Sequence, residues 1–535
     1  MTREPGGARG PLRIALVNLR SQNDDWHQIV MVPLGVMYIS SALKRAFGSE
    51  VDVALFDMTL CPARGDTAPL VRAFLQRHRP DVVGLRGFSS HADQFPVVAG
   101  LAKKLNPECL VIAGGPHAST GSRGLHAEES IDAVVAGEGE ETIVELVGNL
   151  LAKRPFRETP GLSWFEGNEV RKSPSRPMIQ DLDDIALPDY SLLDLNAYQR
   201  QMTMCGFLPE GKFTSIFTSR GCHYRCTYCH DNFGKRVRYR SVDSVIDEIG
   251  YLIEEHGVDE FHVIDDIFNA DRKRAIGIFN EVVRRGWKIR FAFPNGLRGD
   301  IMTEEFVAAA REAGAYHWAI AVETATPRIQ KLVKKHNQLD KVVEAIEMSD
   351  RHGVFTCTFN MLGFPGETEA EMQATIDLNL ESKAHMMAVF AVTPYEGTTL
   401  FDESGSAEDG ELGSGGYHRF SEEVADPGLS DVPRSRIQEL IVDAYARFYF
   451  SGDRLQRMME LSSSCHSLVH LALNLEERRW AANYSFDTLP DARAARSLAD
   501  LNRRARELAP ELCSHLPVPG VELAGNGPAI NRPVS

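Results

Sequence analysis

Residues 221–230 read Gly221-Cys222-His223-Tyr224-Arg225-Cys226-Thr227-Tyr228-Cys229-His230, a C-x3-C-x2-C loop. A four-iron cubane normally takes four thiolates, so a loop with three leaves one iron open to an outside ligand bound through nitrogen and oxygen. Two other readings compete. A zinc knuckle needs a fourth Cys or His, a place His223 or His230 could fill, and a second ligand pair downstream, where Cys357 stands alone. A disulfide framework is disfavoured, because nine cysteines are spread over 535 residues without paired spacing and no secretory signal opens the chain.

Working outward, strand and helix signals alternate from about residue 211 to 403. Phe213 to Thr218 is a short strand that delivers the cysteine loop, and Val242 to Glu255 carries Val242, Val245, Ile246, Ile249 and Leu252 on one helical face. Further strands are expected at 260–264, 288–293, 317–322, 356–361 and 388–392. With the first this makes six βα units, and chemistry in a barrel of such units sits at the carboxyl ends of its strands. Those ends carry Asp265-Asp266, Asn295 and Arg298, Glu323-Thr324, Gly363-Phe364-Pro365-Gly366-Glu367-Thr368, and Thr393 to Thr398. Each is explicable as a cap or turn, but five such positions around one barrel mouth exceed what a packed core requires.

Together these segments resemble the radical S-adenosylmethionine (SAM) superfamily. The resemblance implies that Cys222, Cys226 and Cys229 hold a [4Fe-4S] cluster. Its open iron would chelate SAM, which is cleaved to a 5′-deoxyadenosyl radical. It further implies that Asp265 and Asp266 face the SAM amine and that Glu323 contacts SAM, although Glu-Thr-Ala replaces the usual Glu-Ser-Gly. Arg328 would meet the SAM carboxylate or cap its own helix, and Gly363 to Thr368, with Gly363 and Gly366, would lie against the adenine.

Residues 12–155 alternate β-branched runs with amphipathic stretches, a doubly wound pattern. Strands are expected at 12–17, 51–56, 82–85 and 109–113, and helices at 70–78 and 97–105. Ligands on such sheets sit at the strands' carboxyl ends, here Ser89-Ser90-His91, Gly114-Gly115-Pro116-His117 and Gly137-Glu138-Gly139-Glu140. No G-x-G-x-x-G follows the first strand, so a nicotinamide or flavin site is disfavoured. With Val32-Pro33-Leu34-Gly35 upstream, these segments resemble the cobalamin-binding domain that precedes the barrel in cobalamin-dependent (class B) radical SAM methyltransferases. That resemblance assigns Leu34, Gly35, Ser89, Ser90, Gly114, Gly115, Glu138 and Gly139 to cobalamin. The D-x-H-x-x-G motif that supplies a cobalt-ligating histidine is missing, so His91 and His117 are expected to be loop residues.

Residues 156–210 read as a linker containing a hairpin at 160–170 and an acidic run at 181–190. Beyond the barrel, residues 404–515 read as a flexible polar stretch and then a mainly helical region with Ile437, Leu440, Ile441, Ala444, Tyr445 and Phe448 on one face, and 516–535 as a disordered tail. The expected fold is therefore α/β: a Rossmann-like doubly wound cobalamin-binding domain, a partial (β/α)6 TIM-type radical SAM barrel and a small helical C-terminal region. A formal charge of -16 argues against nucleic acid and anionic membranes as partners, and no apolar run is long enough to span a bilayer. A cytoplasmic location follows, with a small-molecule substrate and a reducing partner such as flavodoxin or ferredoxin. The resemblance implies a methyltransferase acting on an unactivated carbon or phosphorus, with antibiotic-type intermediates, including phosphonates or phosphinates, among the candidate substrates. No catalytic residue beyond the cofactors is indicated. A cobalamin-dependent cyclase or rearrangement enzyme, and more remotely a non-catalytic sensor, are the alternatives.

Overall fold

The computed structural model describes residues 10–20, 29–62, 66–120, 123–167, 169–199, 201–205, 210–404, 428–450, 452–462, 468–469, 471–476, 489, 491–513 and 516–517. The polar stretch expected after Ser404 and nearly all of the expected tail lie outside these residues. Two compact units form, and neither is continuous in sequence. One comprises the described residues of Met1–Tyr198, Thr218–Glu248 and Thr393–Pro427, the other those of Gln199–Phe217, Ile249–Val392 and Gly428–Ser535.

The first unit is built on a seven-stranded sheet. Its strands are β1 (Leu12–Asn18), β2 (Val51–Asp57), β3 (Val82–Arg86), β4 (Leu110–Gly114), β5 (Ala133–Val135), β6 (Leu162–Glu166) and β7 (Glu169–Lys172), in the order β2-β1-β3-β4-β5-β6-β7. The first five run parallel. Strand β1 is apolar at nearly every position because both of its faces are covered. Ala15 and Val17 join one core with Val71, Leu75, Phe95 and Val98 of helices α2 (Ala68–His78) and α3 (Gln94–Leu105). Ile14 and Leu16 join the other, with Val36 and Leu43 of α1 (Leu34–Phe47) and Ile143, Leu146 and Val147 of α4 (Glu140–Leu151).

The linker reading of 156–210 needs correction at two points. The hairpin β6–β7 pairs antiparallel onto β5 and extends the sheet, because the short β5 would otherwise leave an open edge. The acidic run is strapped to α1: Ser40 Oγ donates to Asp189 Oδ2 at 2.6 Å, and Lys44 pairs with the same carboxylate.

The second unit carries six strands, all parallel and in sequence order: β8 (Phe213–Ile216), β9 (Glu260–Val263), β10 (Arg290–Leu297), β11 (Ala315–Glu323), β12 (Phe355–Leu362) and β13 (Met386–Ala391). Helices α5 (Val242–His256), α6 (Arg272–Arg284), α7 (Glu304–Glu312), α8 (Leu339–Arg351) and α9 (Glu369–Glu381) follow successive strands. Aromatic rings fill the layer between strands and helices. Phe279 meets Phe306 at 5.7 Å, and Trp318 is fully buried with its indole N–H on Ser349 Oγ. The expected helical region is present as α10 (Arg434–Tyr449), α11 (Arg454–Leu461) and α12 (Ala492–Leu508). Tyr445 and Tyr449 of α10 reach the outer edge of β13. There Tyr449 Oη accepts from Met387 N at 3.0 Å and donates to Met387 O at 3.1 Å, and Tyr445 Oη does the same with Val389 at 2.9 and 3.3 Å. Arg454 of α11 donates to the carbonyls of Leu380, Ser382 and Ala384 at and just beyond the C-terminal end of α9.

Candidate functional site

A two-residue ribbon, Ser219–Arg220 against Arg238–Tyr239, closes the base of the cysteine loop within the first unit. Gly221 turns the chain into the loop at φ 91°, and a Cβ there would lie 2.5 Å from the carbonyl oxygen of Arg236, so no other residue fits. Cys222 N donates to Gly234 O and Cys229 N to Cys226 O, each at 3.2 Å. The three thiols lie at graded depth: Cys226 buried, Cys222 half-buried and Cys229 exposed, and none is in a disulfide. Three thiols within eight residues of one loop are the donor chemistry that a cubane with one iron left for another ligand takes. His230, weighed above as a zinc ligand, has Nε2 3.1 Å from Glu396 O. Leu400 N donates to Thr227 O at 2.8 Å, so the segment after Thr393 helps hold the loop.

The ribbon is anchored by charge. Arg220 donates to Glu138 Oε1 at 2.8 Å and to Glu140 Oε1 at 2.7 Å, and its guanidinium lies over the rings of Tyr38 (5.1 Å) and Phe233 (5.3 Å). Arg238 donates to both oxygens of Glu138, at 3.0 and 2.8 Å. Burial alone would raise the Glu138 carboxyl, but the two arginines outweigh it and hold it below the usual range. Sequence reading singled out Glu138 and missed both arginines. The available signal was a pair of arginines bracketing the cysteine loop, matched in charge to the Gly-Glu-Gly-Glu run.

The other residues read as cobalamin contacts gather at the carboxyl ends of the first sheet. Leu34 and Gly35 open α1, and Ser89 and Ser90 follow β3. Gly114 ends β4, and Gly115 begins a single helical turn at φ 85°, where a Cβ would meet Arg86 Cγ at 2.7 Å. Gly139 immediately precedes α4. His117 Nδ1 lies 3.2 Å from Ser89 Oγ. Burial, with His230 nearby, lowers its pKa to about 4, and burial with Arg86 and Arg20 nearby lowers that of His91 to about 3, so both rings are neutral near pH 7. At the end of β2, Asp57 accepts from Asn18 Nδ2 at 2.8 Å and from Tyr198 Oη at 2.5 Å.

In the second unit, the residues read as SAM contacts stand at the strand ends. Asp265, buried, follows β9, and Asn295 Nδ2 donates to its carbonyl at 2.8 Å, while Asp266 beside it is exposed. Glu323 ends β11 at φ 68°, a left-handed conformation unusual for a side-chain-bearing residue and frequent where function dictates geometry. Its carboxylate pairs with Lys335 at 3.1 Å. Arg298 steadies that loop by donating to Lys335 O and His336 O, each at 3.0 Å. Thr324 is fully buried, with its hydroxyl 3.4 Å from that of Thr375. Gly363 N and Phe364 N both donate to Glu367 Oε2, at 2.7 and 3.0 Å, closing the turn that contains Gly366. Arg328 pairs with Glu371 and donates to Gly366 O at 2.7 Å, so it braces this turn against α9. A separate buried group, Cys205 with His262 at 4.0 Å and Glu260 3.0 Å beyond, lies at the opposite ends of the strands, away from these residues.

Comparison with known proteins agrees with this arrangement. The sequence model of the B12 binding domain matches residues 28–147, and that of the Radical SAM superfamily matches residues 216–378. An uncharacterised methyltransferase of Pyrococcus horikoshii is 31% identical over 423 residues, covering 78% of this chain and 87% of that one. A cytidylyl-2-hydroxyethylphosphonate methyltransferase of Streptomyces wedmorensis is 30% identical over 420 residues, 69% of this chain and 77% of that one. Among solved structures, the radical S-adenosylmethionine methyltransferase TsrM from Kitasatospora setae, with cobalamin and a [4Fe-4S] cluster bound, superposes with a TM-score of 0.65 at 18% identity. It covers 94% of this chain and 100% of that one, a likeness of fold. No helix among the described residues is long and apolar enough to cross a membrane.

Proposed function

We propose that this chain, which belongs to the family of cobalamin-dependent radical SAM methyltransferases, methylates an unactivated carbon or phosphorus centre of a small secondary-metabolite intermediate. The observation that carries this reading is that the three-cysteine loop is built into the same compact unit as the cobalamin-type sheet, and is ion-paired to it through Arg220 and Arg238. A chain that used its cluster alone would not need that union. The 30% identity to a phosphonate methyltransferase supports a phosphonate or phosphinate as substrate class.

When bound, the cluster supplies the electron that cleaves SAM and the corrin supplies a carrier for the methyl group. Each group has its own set of residues. Cys222, Cys226 and Cys229 bind the cluster. Asp265, Asp266 and Glu323 offer carboxylates to the SAM ammonium, and Gly363 and Gly366, braced by Arg328, bring backbone against the adenine. Gly35, Ser89, Ser90, Gly114, Gly115 and Gly139 would meet the corrin with small side chains and backbone, and Leu34 with an apolar one. His91 and His117, held neutral by burial, place no extra cation beside it. No side chain is required to move a proton. The enzyme acts in the cytoplasm and takes electrons from a flavodoxin or ferredoxin.

The test is anaerobic. Protein reconstituted with iron, sulfide and cobalamin is reduced and given SAM labelled in its methyl group, and 5′-deoxyadenosine and S-adenosylhomocysteine are followed. Both should form, and Cys226→Ala should lose iron and 5′-deoxyadenosine together. 5′-Deoxyadenosine without any use of the labelled methyl would favour a cyclase or rearrangement enzyme. No cleavage of SAM at all would favour a sensor.

A further inference from the structure

We propose that Glu138 is a positioning residue for the iron–sulfur loop, tying both strands of its ribbon to the sheet that carries cobalamin. This rests on Cys222, Cys226 and Cys229 being cluster ligands. A carboxylate offers about four lone-pair sites, and all four of Glu138's are taken. Oε1 accepts from Arg220 and Arg238, and Oε2 accepts from Arg238 and from the Ile179 amide at 2.7 Å. Nothing remains for a corrin amide, so the cobalamin role given to Glu138 by its motif does not extend to its carboxylate. The neighbouring Gly139 is tightly set as well, since a Cβ there would lie 3.0 Å from Ile39 Cδ1.

The arrangement is built to resist displacement. The side chains of Glu138, Arg220 and Arg238 are each no more than 5% exposed. With Glu140 they form a neutral set of two carboxylates and two guanidiniums. Shifting either ribbon strand would strand a buried charge, which is far costlier than breaking a surface pair. Arg238 also donates to Phe233 O at 3.0 Å, inside the chain segment that closes the cysteine loop. One carboxylate thus holds the entry strand through Arg220 and the exit strand through Arg238. Residue pairs 82 and 100 positions apart are joined at one carboxylate, which sets both ribbon strands against the sheet.

The test compares wild type with Glu138→Gln, both as full-length holoprotein. Cobalamin affinity, from visible absorbance titration, should stay within about twofold. Amide exchange in peptides covering residues 216–240 should quicken by about tenfold or more, and the electron paramagnetic resonance spectrum of the reduced cluster with SAM should change shape. A loss of cobalamin affinity of about tenfold with loop exchange unmoved would make Glu138 a corrin contact and overturn the proposal. Should Glu138→Gln fail to fold, Glu140→Ala removes only Arg220's second partner. It should quicken exchange in the entry strand by a smaller factor, and no change there would equally overturn the proposal. Failure of the cluster reading is distinct: Cys226→Ala would then keep wild-type iron, whereas failure of this inference leaves Glu138→Gln with wild-type exchange.

Discussion

Glu367 holds the turn between β12 and α9 with one carboxyl group, and burial pushes its pKa up to about 7 despite the two backbone N–H groups that favour its ionised form. The folded chain therefore keeps a proton that the unfolded chain gives up near its ordinary value of 4.5. The resulting stabilisation is full below that value and is lost as pH rises through about 7. Glu367→Gln, which cannot ionise, should flatten this dependence. In thermal melts from pH 5 to 8, we expect wild type to lose on the order of 3 kcal/mol relative to the variant. An unchanged difference between the two across this range would show that the carboxyl is ionised throughout. At this scale the sequence is legible where chemistry demands a particular residue type. Three thiolates at C-x3-C-x2-C spacing have few other uses, so the cysteines could be proposed as cluster ligands from their spacing alone. The work of Glu138 and Glu367 could not, because a glutamate destined for burial looks like one destined for water until its partners are placed. For Glu138 those partners are 82 and 100 residues away.

Among elements, the open side of the second sheet is instructive. A six-stranded parallel sheet that does not close leaves β13 with a free row of N–H and C=O groups, a template for unwanted pairing. Helix α10 covers it with Tyr445 and Tyr449, one turn apart, whose hydroxyls take the place of a seventh strand. Tyr449→Phe should leave the Met387 amide and carbonyl without that partner in a dry setting. A loss of about 1–3 kcal/mol is expected in denaturant unfolding, with faster amide exchange at Met387. A loss below a few tenths of a kcal/mol would mean that water substitutes freely. The periodicity of α10 had marked Tyr445 as part of an apolar face, which is half of its role: pattern reports burial, and says nothing of where a hydroxyl within the buried face points. The parallel strands themselves were legible because continuous apolar runs flanked by amphipathic stretches have one stable packing. The hairpin β6–β7 was seen as a hairpin but not as sheet edge, since pairing partners are not written in a strand's own residues.

For the molecule as a whole, the order of a cobalamin-type sheet followed by a barrel was readable from one end of the chain to the other. The way the chain is shared between its two compact units was not. Segments 218–248 and 393–404 complete the first unit, although the sequence passes through most of the second to reach the later one. Among the contacts that join the later segment to the first unit are Leu400 N on Thr227 O and His230 on Glu396 O. Chains truncated after Val392 and after Ser404 both lack the C-terminal helices but differ in these contacts. On anaerobic reconstitution the longer should retain more iron per chain, and equal retention would mean that the cysteine loop is set without them. The interleaving also has a meaning in time. A ribosome adds about 5–20 residues per second, so roughly 9–34 s separate the emergence of Cys229 from that of Leu400. Throughout that interval the nascent cysteines have their sheet but not their final support. On the cluster reading proposed above, iron delivered during synthesis would meet a half-made receptacle, and maturation of the centre would be a late event in the life of each new chain, scheduled by the route of the backbone.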